Sequence, residues 1–328
     1  MTDLRTKYMG LDLANPLIVG SCGLTRNLQG VQRCAEVGAG AVVLKSIFEE
    51  QIAHEVDAAL AASAGSIWHS EAMAYVQAYT EDNAVGAYLK LISDAKEAVD
   101  IPVIASVHCV SAEVWPGFAA RVERAGADAL ELNAFILPSD PDVDGAAIEK
   151  RYLELAAAVE REVSVPVALK LGCYFSGLTN TLRRLGRTGI GGVTLFNRFF
   201  ASDIDTEKLA LCPAPYLSEP SEYLLPLRWV SILHGRLDCD ICAATGIHDG
   251  QTMAKLLLAG ADAVQVVSAL YRNGINHVGK MLEDLKGWMA AHEFATIDDF
   301  RGKLSQQDAA NPAAIERVQF MKFSAGME

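Results

Sequence analysis

Eight short apolar runs, each followed by a segment of helical period, constrain this chain more than any other feature. The runs are Leu17–Val19, Ala41–Leu44, Val103–Val107, Ala129–Leu132, Val167–Leu171, Val193–Phe196, Asp240–Ala243 and Ala263–Val267. Each is nearly continuous in its hydrophobicity, as parallel strands covered on both faces must be. Helices are predicted between them, near Asn27–Val37, Asn83–Val99, Glu113–Arg124, Gly145–Glu162, Thr179–Arg187, Ser221–Leu233, Gly250–Leu258 and Asn273–Ala291. Three joints share a Gly-Ala turn, at Gly38-Ala39, Gly126-Ala127 and Gly260-Ala261, where glycine suits the left-handed residue that ends a helix. Pro102 and Pro166 stand one residue before strands, where no ladder bond is lost.

Eight alternations of strand and helix predict an α/β fold, a (β/α)8 TIM barrel. A doubly wound sheet is the alternative. Two of its strand-to-helix connections are long, Ser46 to Asp82 after strand 2 and Arg198 to Pro220 after strand 6. Such loops lie on the catalytic face of a barrel and serve as lids or substrate walls. One barrel domain is expected over residues 1–304. A short C-terminal tail follows at 305–328, packing on the barrel or on a second subunit.

The 328 residues are half apolar and carry a net charge of −13, which excludes disorder and disfavours a nucleic-acid or anionic-membrane surface as the main partner. No run is long enough to span a membrane. Met1-Thr2-Asp3-Leu4-Arg5 does not open a signal peptide, and the seven scattered cysteines read as free thiols, so a cytoplasmic protein is expected. Cys239 and Cys242 have CxxC spacing but no second pair, so no metal site is predicted.

In a barrel, chemistry is read from the C-terminal ends of the strands. Strand 2 ends in Lys45-Ser46, strand 4 in Asn133, strand 5 in Lys170 and strand 6 in Asn197-Arg198. Two lysines directly after apolar runs need an anion or a polar acceptor. After strand 7 comes Thr245-Gly246-Ile247, then a helix start; after strand 8 come Val267 and Ser268, with Arg272 beyond. Backbone N–H groups at a helix start favour a phosphate, and these two loops hold one in many barrels. On so acidic a chain, Lys45, Lys170, Arg198 and Arg272 at one rim predict a local positive pocket.

These landmarks, in this order, resemble the dihydroorotate dehydrogenase family of FMN-dependent barrels, from about Leu4 to Lys303. Asn15-Pro16-Leu17-Ile18-Val19-Gly20-Ser21-Cys22-Gly23 resembles the opening segment that lets the backbone approach the flavin. Lys45-Ser46, Leu130-Glu131-Leu132-Asn133, Ala168-Leu169-Lys170-Leu171 and Gly192-Val193-Thr194-Leu195-Phe196-Asn197 resemble successive family motifs. Thr245-Gly246-Ile247 and Gly260-Ala261-Asp262-Ala263-Val264-Gln265-Val266 resemble its phosphate end, and Ile297-Asp298-Asp299-Phe300-Arg301-Gly302 its last helix. The resemblance implies FMN, with Ser21, Cys22, Lys45, Ser46, Asn133, Lys170, Thr245, Gly246, Ile247, Val267 and Ser268 as its binding residues. It implies hydride transfer to or from a small polar, carboxylated substrate, with Lys45, Asn133 and Asn197 at the reacting end. Arg198, which departs from the family, is assigned to the substrate carboxylate.

A second departure matters for mechanism. In Asn133-Ala134-Phe135-Ile136-Leu137-Pro138 the position of the family's catalytic cysteine is held by Ile136, which takes no proton. The candidate replacements are His69 or Ser70 on the long loop, Cys173 or Tyr174 after strand 5, and His108 or Cys109 at the end of strand 3. Dihydroorotate itself is therefore not the expected substrate. Reoxidation calls for a soluble acceptor or an electron-transfer protein, and a homodimer is expected. Two alternatives stay open, a flavin-holding subunit of a larger redox complex and a non-redox, phosphate-binding lyase or isomerase.

Overall fold

The computed structural model describes residues 2–48, 85–109, 115–199 and 201–317. Eight parallel strands form a closed ring: β1 (Leu17–Val19), β2 (Ala41–Val43), β3 (Val103–Cys109), β4 (Ala129–Ala134), β5 (Val167–Leu171), β6 (Gly192–Leu195), β7 (Asp240–Ala244) and β8 (Ala263–Val266). Each strand pairs with its neighbours in chain order. The ring closes where β8 pairs β1, Val264 opposite Leu17 and Val266 opposite Val19. This is the expected barrel. Every predicted strand is present within two residues of its predicted ends. Residues 101–102 and 165–166 place the two prolines directly before β3 and β5, as read from sequence.

Strand alternation separates two apolar layers. Leu130, Leu132, Leu169, Leu171, Val193 and Val264 face outward and are buried under the helices. Ile18, Ala41, Val43, Ile104, Ala129, Ala168, Cys242 and Ala263 face inward and fill the lower interior with small side chains. A hairpin, Thr6–Tyr8 with Leu11–Leu13, plugs the bottom with Tyr8, Met9 and Leu13. Higher up, the inward positions turn polar: Ser106, Glu131, Thr194 and Gln265 are all buried. A barrel interior is a packed core, so polar groups there must satisfy one another.

Helices return each strand to the next. Leu28–Glu36 is capped by Asn27, Gly145–Glu160 by Asp144 and Gly250–Ala259 by Asp249, each side chain accepting a backbone N–H of the first turn. The three predicted turn glycines all adopt positive φ, 89° at Gly38, 98° at Gly126 and 114° at Gly260. The segment after β8 differs from expectation. A short helix, Ser268–Asn273, starts directly at the strand end, and Gly274 breaks it before His277–Ala291. The helix expected from Ser221 begins as a 3-10 turn, Pro220–Tyr223, and continues as Leu224–Leu233.

The long connection after β6 carries an exposed hairpin, Ser202–Asp205 with Ala210–Pro213, that was not predicted. Most of the long connection after β2 lies outside the described residues. Beyond Lys303 the chain turns back: the Gln306 backbone donates to Ser231 O at 2.8 Å, and its amide reaches Glu316 at 2.6 Å. Among the described residues no helix is long and apolar enough to cross a membrane.

Candidate active site

Two cavities open at the C-terminal mouth of the barrel. The first holds about 160 Å³ and is lined by ends of β1, β5, β6, β7 and β8: Ser21, Lys170, Asn197, Thr245, Gly246 and Ser268 among others, with Gln265 at its floor. The second holds about 580 Å³ and is bounded by Phe135, Cys173, Tyr174, Phe199 and Leu225. Phe196, Asn197, Arg198 and Thr245 line both.

Lys170 is the cation of the first cavity, and its side chain is 11% exposed. Its Nζ donates to Gln265 Oε1 at 2.8 Å and lies 3.6 Å from Glu131 Oε1. Glu131, 1% exposed, accepts through Oε2 from the Gln265 amide and from Thr194 Oγ1 at 3.0 Å. Thr194 in turn meets the Tyr8 hydroxyl at 3.4 Å. A buried carboxylate is tolerable only when paired and hydrogen-bonded; Oε2 carries the hydrogen bonds here, while Oε1 has none and faces the Lys170 ammonium at 3.6 Å. Glu131 and Gln265 were not singled out as site residues. The signal for them was present: a charged and an amide side chain, each at an inward position of an otherwise apolar strand.

Of the other predicted residues, Ser21, Asn197, Arg198, Thr245, Gly246, Ile247, Val267 and Ser268 line the first cavity, and Cys22, Lys45, Ser46 and Asn133 are not part of its lining. Asn133 and Asn197 are brought together, the Asn197 amide donating to Asn133 Oδ1 at 2.7 Å. Lys45 follows β2, and its partial burial draws the ammonium below its usual range. Ser46 is buried, and its hydroxyl stands 3.0 Å from that of Ser21 and 2.8 Å from that of Ser106. Cys22 is buried at the start of a 3-10 turn, and burial pushes its thiol up. Ile247 is buried beside Gly246. Val267 lies so close to Gly20 that a Cβ there would stand 3.0 Å from its Cγ2. Cys173 borders the second cavity rather than the first. His69 lies outside the described residues.

At the phosphate end, Thr245 and Gly246 both adopt positive φ, 80° and 76°. The loop after β6 enters this end. Ser218 donates its N–H to Ser268 Oγ at 2.9 Å, and its hydroxyl accepts from the Gly246 N–H at 3.3 Å. His248 Nε2 stands 3.2 Å from that same hydroxyl. Arg272 reaches Glu219 at 2.6 Å and Ser218 O at 3.3 Å. Arg198 binds Glu222 at 2.9 Å and Pro215 O at 3.0 Å.

The expected positive pocket is therefore corrected in part. Lys170, Arg198 and Arg272 each face a carboxylate, because a cation near a low-dielectric wall is costly without one. The donor set still suits a flavin mononucleotide. One buried cation, side-chain amides and hydroxyls and the Gly246 N–H line one cavity at five strand ends.

No protein-family model matches the chain. Individual relatives do. Dihydropyrimidine dehydrogenase (NADP(+)), chloroplastic, of Arabidopsis thaliana is 25% identical over 96% of this chain and 80% of its own length. The catalytic subunit of dihydroorotate dehydrogenase B (NAD(+)) of Methanothermobacter thermautotrophicus is 27% identical, over 91% of this chain and 97% of its own. A putative dihydroorotate dehydrogenase A (fumarate) of Aeropyrum pernix is 29% identical over 65% of this chain and 71% of its own. Fold and relatives agree: the chain is a (β/α)8-barrel oxidoreductase similar to the dihydroorotate and dihydropyrimidine dehydrogenases.

Proposed function

We propose that this chain is an FMN-dependent oxidoreductase that moves a hydride between FMN and a C–C bond of a small, carboxylated substrate. The observation that carries the reading is Lys170 at the cavity floor, held by Gln265 at 2.8 Å and paired with Glu131 at the C-terminal mouth. Bound FMN would supply a two-electron hydride acceptor. A fixed cation such as Lys170 favours negative charge developing on the cofactor's polar edge. Gly246 N–H and the Ser268 hydroxyl are the phosphate donors, once Ser218 yields them. Ser21 and the Asn133–Asn197 pair supply hydrogen bonds to cofactor and substrate.

The proton step falls to a different group from the family's. Ile136, at the cysteine position, has no proton to exchange, and its backbone N–H donates to the Tyr152 hydroxyl at 3.1 Å. Cys173, on the wall of the adjoining cavity, is the thiol assigned to this role. Arg198 orients the substrate acid with whichever edge of its guanidinium Glu222 leaves to it.

The lyase alternative is disfavoured by the same floor. A Schiff-base lysine needs a free amine to attack a carbonyl, whereas Lys170 Nζ is engaged by Gln265 at 2.8 Å and stands 3.6 Å from Glu131. The reading in which electrons pass on to a partner protein draws support from relatives named as catalytic subunits.

The test is an absorbance spectrum of the purified chain with mass identification of what it carries. The expected result is a yellow protein that bleaches under dithionite and releases FMN on denaturation. A colourless protein that fails to retain added FMN rejects the proposal.

A further inference from the structure

The second cavity differs in character from the substrate expected so far. It holds about 580 Å³, within the roughly 300–1,000 Å³ usual for small-molecule sites. Three aromatic rings form one wall: Phe135 and Phe199 have centroids 3.9 Å apart, and Tyr174 stands 4.7 Å from Phe199. Gly172 lies beneath Phe199, and any Cβ there would come within 2.5 Å of the ring. Aliphatic side chains complete the lining. Leu137 and Leu225 among them remain 57% and 45% exposed, which is unusual for large apolar side chains grouped around one hollow. The charged side chains on the cavity wall are Arg198 and Glu222, and they neutralise each other.

We propose that this chamber takes an uncharged, ring-sized apolar portion of the substrate, aromatic or alicyclic, while the acid end stays at the polar cavity. The chambers adjoin, with Phe196, Asn197, Arg198 and Thr245 in the walls of both, so a substrate seated at that border has its two ends next to different chambers. The wall that faces it offers ring faces and methyl groups, and no unbalanced charge. The substrate is thus an acid bearing a ring system, larger and less polar than the sequence implied. The inference rests on the reading of the mouth as a redox active site, but its test does not need the flavin.

The experiment is calorimetric titration of the full-length protein, as purified, with acetate, benzoate and 2-naphthoate. Affinity should rise at each step, by about tenfold from benzoate to 2-naphthoate. Leu225→Glu and Leu137→Glu, both at exposed positions that leave the barrel core intact, should each remove the preference for 2-naphthoate. Equal affinity for the three acids overturns the proposal, and so does a preference that survives both substitutions. Gel filtration of the same samples gives a further outcome. A fall in mass on Leu225→Glu would show that a second copy of the chain occupies the chamber, which also overturns it. A colourless protein that still grades the acids by ring size rejects the flavin and keeps the chamber; a yellow protein that does not grade them does the reverse.

Discussion

Two cavities share the mouth of the barrel, and they are made from different parts of the chain. The polar one is built from strand ends, where backbone pairing fixes each side chain to a ring position. Its cation, amides and hydroxyls are held by one another and by the strands below. The apolar one is built from the segments after β4, β5 and β6 and from the start of helix Leu224–Leu233. Its rings pack together but rest on less. The difference is a division of labour in which strand ends hold the polar groups and loops set the shape of what is admitted.

The largest expected effect lies in the polar cavity. Lys170→Ala strands Glu131 as a buried, unpaired carboxylate and should cost about 3–5 kcal/mol of stability in urea denaturation. Adding Glu131→Gln in a Lys170→Met background should recover most of it. If Lys170→Ala is nearly neutral, the cavity floor is not the interlocked unit described. A smaller loss, about 1–3 kcal/mol, is expected for Gly172→Ala, because the new methyl must displace the Phe199 ring. Thermal unfolding would read it, and no loss would show that the aromatic wall is free to move.

The smallest effect belongs to the shared border. Burial works to raise the Glu222 carboxyl, but the Arg198 guanidinium and the Glu219 N–H outweigh it and hold the group below its usual range. The pair's contribution should therefore be present above about pH 4.3, the unfolded value, and disappear as pH falls through the lower folded value. Both side chains are about one-third exposed, at 30% and 32%, so the contribution is screened. Arg198→Ala should cost only about 0.2–1 kcal/mol at neutral pH. Its stability curve should merge with that of the wild type in acid; a constant gap at every pH would mean that the loss comes from packing.

What could be read in advance follows the same division. The eight strands were legible because a parallel barrel strand is apolar on both faces, and the turn glycines Gly38, Gly126 and Gly260 marked where three of the helices ended. Lys170 and Asn197 were legible as polar residues at strand ends. Glu131 escaped because it sits among leucines, and only the inward register of β4 shows that it faces Lys170. The hairpin Ser202–Asp205 with Ala210–Pro213 escaped because its residues are largely exposed and carry no apolar alternation. The apolar chamber was not legible at all. Phe135, Tyr174 and Phe199 belong to three separate loops, and no local pattern announces that loops will meet. The same holds for Ser218, which reaches Ser268 across fifty residues.

The floor of the barrel has a consequence for its mouth. Tyr8 comes from the hairpin that closes the bottom, and its hydroxyl begins the series through Thr194 and Glu131 to Gln265 and Lys170. The barrel is thus threaded along its axis by a polar column, with the plug at one end and the Lys170 ammonium at the other. Shortening the chain ahead of Leu17 would remove the foot of that column and open a hole beneath Thr194. The hairpin at the bottom of the barrel is in this sense part of the foundation on which the buried charge at its mouth stands.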